Sequence, residues 1–238
     1  MNGALISQPP PIHPDRDLRQ RQLVPPASLG ACHALVVGVG AIGRQVAVQL
    51  AALGVPAMDL IDFDLVSVEN LASQGYWPAD LARMKVDATA ELCRQIHPEI
   101  ELHTHPERFR RSSAKTLECL KTRQRKVVVF ACLDSMDGRR LLWESLCGQV
   151  SFFVDGRMSA EIVRVLASGD PASDRHYPST LFGQERAYAG ACTAKSTIYT
   201  ANIAAGLMLT QFTRWLRGLP TDADVLLNLL SMELTVAG

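Results

Sequence analysis

The chain has 238 residues, 47% of them hydrophobic, so it is long enough to bury a sizeable core. Its 24 Lys and Arg balance 24 Asp and Glu, which leaves no overall basic field to recruit nucleic acid or an anionic membrane. The opening MNGALISQPPPIHPDRD lacks the basic start and long apolar run of a secretory leader, and the expectation is a cytoplasmic protein.

Residues 1–30 hold six of the thirteen prolines and read as an extended arm before a domain spanning 31–238. Arg16, Arg19 and Arg21 cluster in the arm just before Leu23 and Val24; charge alone gives a solvated basic tail. The segment Ala34 to Asp64 organises the rest. Ala34–Val37 is a short apolar run suited to a strand buried on both faces, and Gly38, Gly40 and Gly43 form GxGxxG directly after it. Gly38 permits the bend, Gly40 admits a phosphate to bare backbone, and Gly43 lets the next helix pack closely. That helix turns its unpaired N–H groups and dipole toward an anion, continues through Gln45, Val46, Val48, Leu50 and Leu53, and meets Gly54 at a left-handed cap position. MDLIDFD follows as a buried strand ending in Asp62 and Asp64. Asp62 lies 19 residues beyond Gly43, near the ~20-residue spacing at which a carboxylate meets a ribose. These features suit a dinucleotide oxidoreductase as well as an ATP enzyme.

After Asp64 a loop leads to a helix from near Met84 to Ile96, stopped by Pro98. Glu99–His103 reads as a strand, Ser112 or Ser113 as the cap of a helix reaching Lys121, and KVVVFACLD as the next buried strand, with Leu133 and Asp134 at its end. In a doubly wound sheet the ligand crevice lies outside the carboxyl ends of the strands, so Asp62 and Asp134 share a pocket with the glycine turn. Asp137 opens a helix to Cys147, and SFFVDG and EIVRVLAS are two more strands. Arg157 is a candidate for substrate or phosphate, or for an ion pair with Glu161. Residues 168–194 show no periodicity and read as a long loop. Residues 198–216 are apolar, but Asn202, Gln211 and Arg214 interrupt them, so a buried helix is expected rather than a membrane span. VLLNLLSMEL closes the chain as a strand. The six cysteines include no CxxC pair, and no structural zinc is expected.

Asn70, Gln74 and Lys85 fall on loop or helix-start positions at the nucleotide end of the sheet. A pyrophosphate can be held by a helix N-terminus, whereas a triphosphate calls for a lysine and for Mg²⁺ on one or two carboxylates, which Lys85 and Asp134 supply. GVGAIG, IDFD, ENLASQ, ARMK, QIHP and ACLDSMDGRR, in this order, resemble the ubiquitin-activating and sulfur-carrier-adenylating enzymes of the ThiF/MoeB type, over roughly Asp15 to Leu216. The resemblance implies an α/β fold, a Rossmann-like mixed sheet flanked by helices, with a nucleotide-binding half (31–155) and a second half (156–238). It also implies a homodimer that uses ATP and Mg²⁺ to adenylate the C-terminal glycine of a ubiquitin-like or sulfur-carrier protein.

Carried over, Gly38, Gly40, Ala41, Gly43, Asp62, Asn70, Gln74, Lys85, Leu133 and Asp134 line the nucleotide, with Asp62 on the ribose, Asn70 and Lys85 about the phosphates and Asp134 on Mg²⁺. Arg21, with Arg19 the other register, reaches the partner subunit's ATP. Ser73 stands where the family usually has an arginine; either Arg83 or Arg44 fills that place or the site is weakened. Cys192, at the end of the long loop before Lys195, is the candidate thioester nucleophile ahead of Cys132 and Cys147, against the competing reading of an inert thiol at a helix start. Two other functions stay open: a non-catalytic subunit of the same fold that binds a ubiquitin-like protein, and an NAD-dependent oxidoreductase.

Overall fold

A computed structural model describes residues 16–122, 124–182 and 196–237. The first described segment is turn-rich through residue 23 and enters helix α1 (Pro26–Gly30), where proline is tolerated because an N-terminal helical position needs no N–H donor. The expected extended arm is therefore folded over 16–30, pinned by the buried Val24 and Leu29. Arg16 donates to the carbonyls of Ala51 (2.6 Å) and Ala52 (3.0 Å), and Gln20 to that of Leu53 (2.9 Å). Those carbonyls are the orphan acceptors at the end of α2 (Ala41–Leu53), and a guanidinium there also meets the negative end of the helix dipole.

Strand β1 (Cys32–Val37) is buried at every position, as its unbroken apolar run requires. Gly38, at φ +87°, turns the chain into α2, and Gly54, at φ +91°, ends the helix in the left-handed conformation. Next come β2 (Ala57–Ile61), α3 (Val68–Gln74), α4 (Lys85–Ile96), β3 (Glu101–His105), α5 (Ser113–Thr116) and α6 (Glu118–Thr122). The second half of the chain holds β4 (Lys126–Ala131), α7 (Met136–Leu146), β5 (Phe152–Ser159), β6 (Ile162–Ser168), α8 (Pro171–His176), α9 (Ile198–Leu216), β7 (Asp224–Asn228) and β8 (Glu233–Ala237).

The strands form one sheet in the order β3-β2-β1-β4-β5-β6-β7-β8. From β3 to β5 every pairing is parallel; from β5 to β8 every pairing is antiparallel. This is the mixed α/β sheet expected, and its order reverses between β1 and β4, where a crevice opens at the carboxyl ends. On one face α2, α4 and α9 pack over Ala34, Val36, Val128, Phe130 and Val154. Phe212 of α9 meets Phe130 edge-on at 5.5 Å, and Trp215 stacks on Phe152 at 5.3 Å. The opposite face, Leu35, Val37, Val129 and Phe153, is covered by α6, α7 and Tyr177.

Helix α9 spans 198–216 as read, with Ala201, Ala205, Met208, Leu209, Phe212 and Leu216 buried. Among the described residues no helix is long and apolar enough to cross a membrane. Other expectations shift. β3 starts two residues later than expected, after a turn in which Ile100 donates to the His97 carbonyl. The helix read from Ser112 to Lys121 is two short ones, α5 and α6, separated at Leu117. VLLNLLSMEL is not one strand but the centre of the β7–β8 hairpin. Residues 168–194 are not loop throughout. Asp170 accepts from the N–H groups of Ala172 and Ser173, Pro171 takes the first helical position, and α8 and a 3₁₀ turn (Tyr177–Thr180) follow.

Candidate nucleotide site

The glycine turn, Asp62, Lys85 and Asp134 lie at the carboxyl edge of the parallel strands. The turn after β1 and the end of β4 are pressed together: a Cβ on Gly38 would lie 2.5 Å from the Cys132 carbonyl oxygen, and one on Gly43 1.8 Å from that of Gly38. Only glycine fits at either place. A Cβ on Gly40 would meet only the Gln74 Oε1, at 3.9 Å, so the backbone there lies open. Gly40 also has no side chain with which to cap α2, which leaves the first-turn N–H groups beyond Ala41 for a ligand. Gln74 Oε1 is buried without a hydrogen-bond partner, and a side-chain amide in that position can turn either its oxygen or its NH₂ toward a guest.

The turn is gripped from two sides. Asp62 accepts from the Val39 N–H (2.6 Å) and, with its other oxygen, from the Asp64 N–H (2.8 Å). Tyr76 donates to the Val39 carbonyl (2.7 Å) and shares a contact with Thr89 (3.1 Å). Burial raises the Asp62 pKa above the usual carboxylate value, although the two backbone N–H groups and Lys85 pull it down. Each Asp62 oxygen keeps a lone pair for a hydroxyl. Tyr76 is a structural brace that sequence reading missed; its signal was an aromatic residue in the SQGYWP turn.

Lys85 opens α4 with only 7% of its side chain exposed, and its Nζ lies 2.9 Å from Asp64 Oδ2, a carboxylate 47% exposed. Its backbone N–H also donates to the Asp64 carbonyl (3.0 Å). Asp64, the second acid of IDFD, is thus a further site residue. Across the crevice Leu133 has its carbonyl held by Arg139, and Asp134 stands exposed with no hydrogen bond or ion pair among the described residues. Asn70 closes the cap of α3, its Oδ1 accepting from Ser67 N and Oγ at 3.0 Å each. An open glycine backbone, an uncommitted carboxylate and a buried lysine whose partner faces solvent fit a Mg²⁺-bound nucleotide.

Both arginines that could fill the family's position have partners. Ser73 bonds back to the Glu69 carbonyl (2.8 Å), Arg83 is paired with Asp80 and Glu91, and Arg44 is buried against the Gly75 carbonyl and the Tyr76 ring. Arg83 is thus held by two carboxylates, whereas Arg44 keeps one guanidinium nitrogen, Nη1, without a hydrogen-bond partner among the described residues. Arg157 does not pair with Glu161, which instead accepts from Tyr199 (2.6 Å). It is buried on Asp155 (2.8 Å) and on Thr180, and Asp155 also meets Arg139 and the Tyr177 hydroxyl (2.9 Å). Asp155 is therefore the one carboxylate between two buried guanidinium groups. Asp155→Ala should lower unfolding free energy by about 3–5 kcal/mol, because both cations stay buried without it. A urea-unfolding loss below about 1 kcal/mol would show that solvent reaches them.

Arg19 and Arg21 are exposed, but at the other end of α2 from the glycine turn, roughly 20 Å away for a 13-residue helix. Neither reaches the crevice of its own chain. Cys192 and Lys195 lie outside the described residues. Cys132 follows β4 with its thiol pushed up to about 12 by burial, and Cys147, expected inside a helix, is the exposed residue just past α7.

A doubly wound sheet with a glycine turn and acidic strand ends at its switch point defines a Rossmann-type fold with a crevice at the carboxyl ends of its strands. The chain belongs to the ThiF family, whose model matches residues 19–236. It is 31% identical over 115 residues to the adenylyltransferase and sulfurtransferase uba4 of Aspergillus terreus, covering 48% of this chain and 23% of that protein. To the ubiquitin-like modifier-activating enzyme 5 of Aedes aegypti it is 25% identical over 208 residues, 80% of this chain and 52% of the other. The chain thus spans about half or less of the length of these relatives. A crystal structure of E. coli MccB with ATP superposes with a TM-score of 0.70 at 14% identity, over 95% of this chain and 72% of that one, a likeness of fold.

Proposed function

We propose that the chain is an adenylyltransferase: with MgATP it activates the C-terminal glycine carboxylate of a ubiquitin-like or sulfur-carrier protein. The observation that carries this reading is the pairing of an uncommitted carboxylate, Asp134, with a buried, tethered lysine, Lys85, on either side of an open glycine turn. Mg²⁺ on Asp134 supplies charge neutralisation at the phosphates. The carrier's carboxylate oxygen attacks the α-phosphorus, the bond to the bridging oxygen breaks, and pyrophosphate leaves with that electron pair. No proton transfer is needed, since both nucleophile and leaving group are anions. The protein's task is positioning and charge stabilisation: Lys85 beside the phosphates, the α2 N–H groups facing them, Asp62 on the ribose while fixing Val39. An NAD-dependent oxidoreductase leaves Lys85 and Asp134 without a role.

ATP–pyrophosphate exchange that depends on a small protein ending in glycine is the test. Binding of ATP without exchange, for every such carrier encoded nearby, would favour the second reading, a non-catalytic subunit. That reading has its own support, since Ser73 leaves the family's arginine position without a cation and Arg44 and Arg83 are both engaged.

A homodimer fits this function because Arg21 and Arg19 lie too far from their own crevice. The exposed Leu230, Met232, Leu234 and Val236 of the β7–β8 hairpin suit a second copy of the chain. Arg21→Ala and Asp134→Ala proteins, each inactive, should together recover roughly a quarter of the wild-type exchange at equal mixing, since half the dimers are hybrids with one complete site. No recovery in demonstrated mixed dimers rules out action of Arg21 across the interface; recovery with Arg19→Ala in its place moves the register by two residues. Such chemistry belongs with ATP in the cytoplasm.

A further inference from the structure

On the face of the sheet covered by α6, three side chains from distant parts of the chain converge. In the parallel register Leu35 of β1 sits beside Asp59 of β2, and Asp59 beside His103 of β3. His33 and His105 are each two residues along their own strand from those partners, and so project from the same face. Asp59 is buried, with the His33 imidazole on one carboxylate oxygen and His105 Nε2 on the other at 2.5 Å. Among the described residues no lysine or arginine pairs with it. Cys119 of α6 completes the group: one ligand atom each from His33, Asp59 and Cys119, all three residues buried, lie within 4.8 Å of one another. The surroundings, Leu35, Ile61, Leu117 and Val127, are apolar.

Asp59 meets no charged group but the two imidazoles among the described residues, and imidazole, carboxylate and thiolate together form a donor set for a tetrahedral transition metal rather than for Mg²⁺ or Ca²⁺. We propose that His33, Asp59 and Cys119 bind a zinc ion that fastens β1 and β2 to α6. His105, on the free carboxylate oxygen, orients Asp59 and, with its side chain 30% exposed, marks the path by which the ion enters. Solvent supplies the fourth ligand. Binding releases the Cys119 thiol proton to water and turns a protonated sulfur into a thiolate on the metal. The site is separate from the nucleotide crevice: His33 is the second residue of β1, roughly 16 Å along the strand from Gly38. Its role is structural, and it holds whether or not the chain adenylates anything.

The test uses the full chain purified without a histidine tag, stripped with EDTA and titrated with Co²⁺. The expected result is about one equivalent bound, with the visible bands of tetrahedral cobalt and a thiolate-to-metal charge-transfer band, both abolished by added Zn²⁺. Cys119→Ser should lose the charge-transfer band and Asp59→Asn should weaken binding, while His103→Ala, on the exposed neighbour, changes neither. Zn²⁺ should also raise the melting temperature of the stripped wild type. Absence of saturable binding by the stripped wild type overturns the proposal and leaves a self-contained His–Asp–His hydrogen-bond network. So does a cobalt spectrum without a thiolate band, a measurement that needs no variant to fold.

Discussion

Asp134→Ala should abolish Mg²⁺-dependent pyrophosphate exchange and leave the melting temperature within a degree or two of wild type. The second half of that expectation comes from one fact: the carboxylate is exposed just past β4 and makes no hydrogen bond or ion pair among the described residues. Nothing in the folded state leans on it, so its removal costs little stability. Its position is another matter. Leu133 and Cys132, immediately before it, are fixed by Arg139 and by contact with the glycine turn, so the carboxylate is presented from a rigid base beside open backbone. Divalent cations bound with phosphates take one or two protein carboxylates and fill the rest of their shell with water and phosphate oxygens, so loss of a single carboxylate is severe. Exchange that persists in Asp134→Ala would move the metal to Asp64, a half-exposed acid at this edge. Asp134→Asn, which keeps the shape, should fail as well if charge is what matters.

Much of this arrangement was legible in the residues because it is local. Strand, glycine turn, helix and capping Gly54 follow one another within a single βαβ unit, and α9 could be bounded at both ends by the periodicity of its apolar stripe. What escaped was short or long-range. Helix α8 carries its cap signal openly in Asp170 and Pro171, yet six residues show no periodicity, and the stretch read as loop. Arg157 was read as a substrate or phosphate candidate or as a partner of Glu161; on β5 the residue two positions back shares its face, which makes Asp155 the natural partner. His33, Asp59 and Cys119 are brought together by strand order and by the placement of α6, neither of which a local pattern encodes. A search for CxxC pairs could not have found them. Asp64 was in view but passed over for Asp62, since spacing to a ribose was the criterion and the link to Lys85 appears only once α4 has returned to the sheet.

Lys85→Ala should reduce exchange by ~10²-fold or more, chiefly in the chemical step, with a smaller effect on ATP binding. The lysine begins α4 with its backbone N–H on the Asp64 carbonyl and its ammonium on the Asp64 carboxylate, so it is held from both ends before any nucleotide arrives. A charge so fixed reorganises little as negative charge builds on the phosphates, which is where electrostatic catalysis gains over water. Asp64, being about half exposed, can rehydrate when the lysine is gone, and the fold should survive the change. Lys85→Arg tests geometry rather than charge: a planar fork with a longer reach does not replace a compact ammonium in a buried slot, and it should recover little of the lost rate. With Ser73 in place of an arginine, Arg83 paired with two carboxylates and Arg44 held on the Gly75 carbonyl, the loss should exceed that for a site with a second free cation. A tenfold or smaller drop in exchange would place Lys85 at the periphery and assign the phosphate charge to an arginine from the second copy.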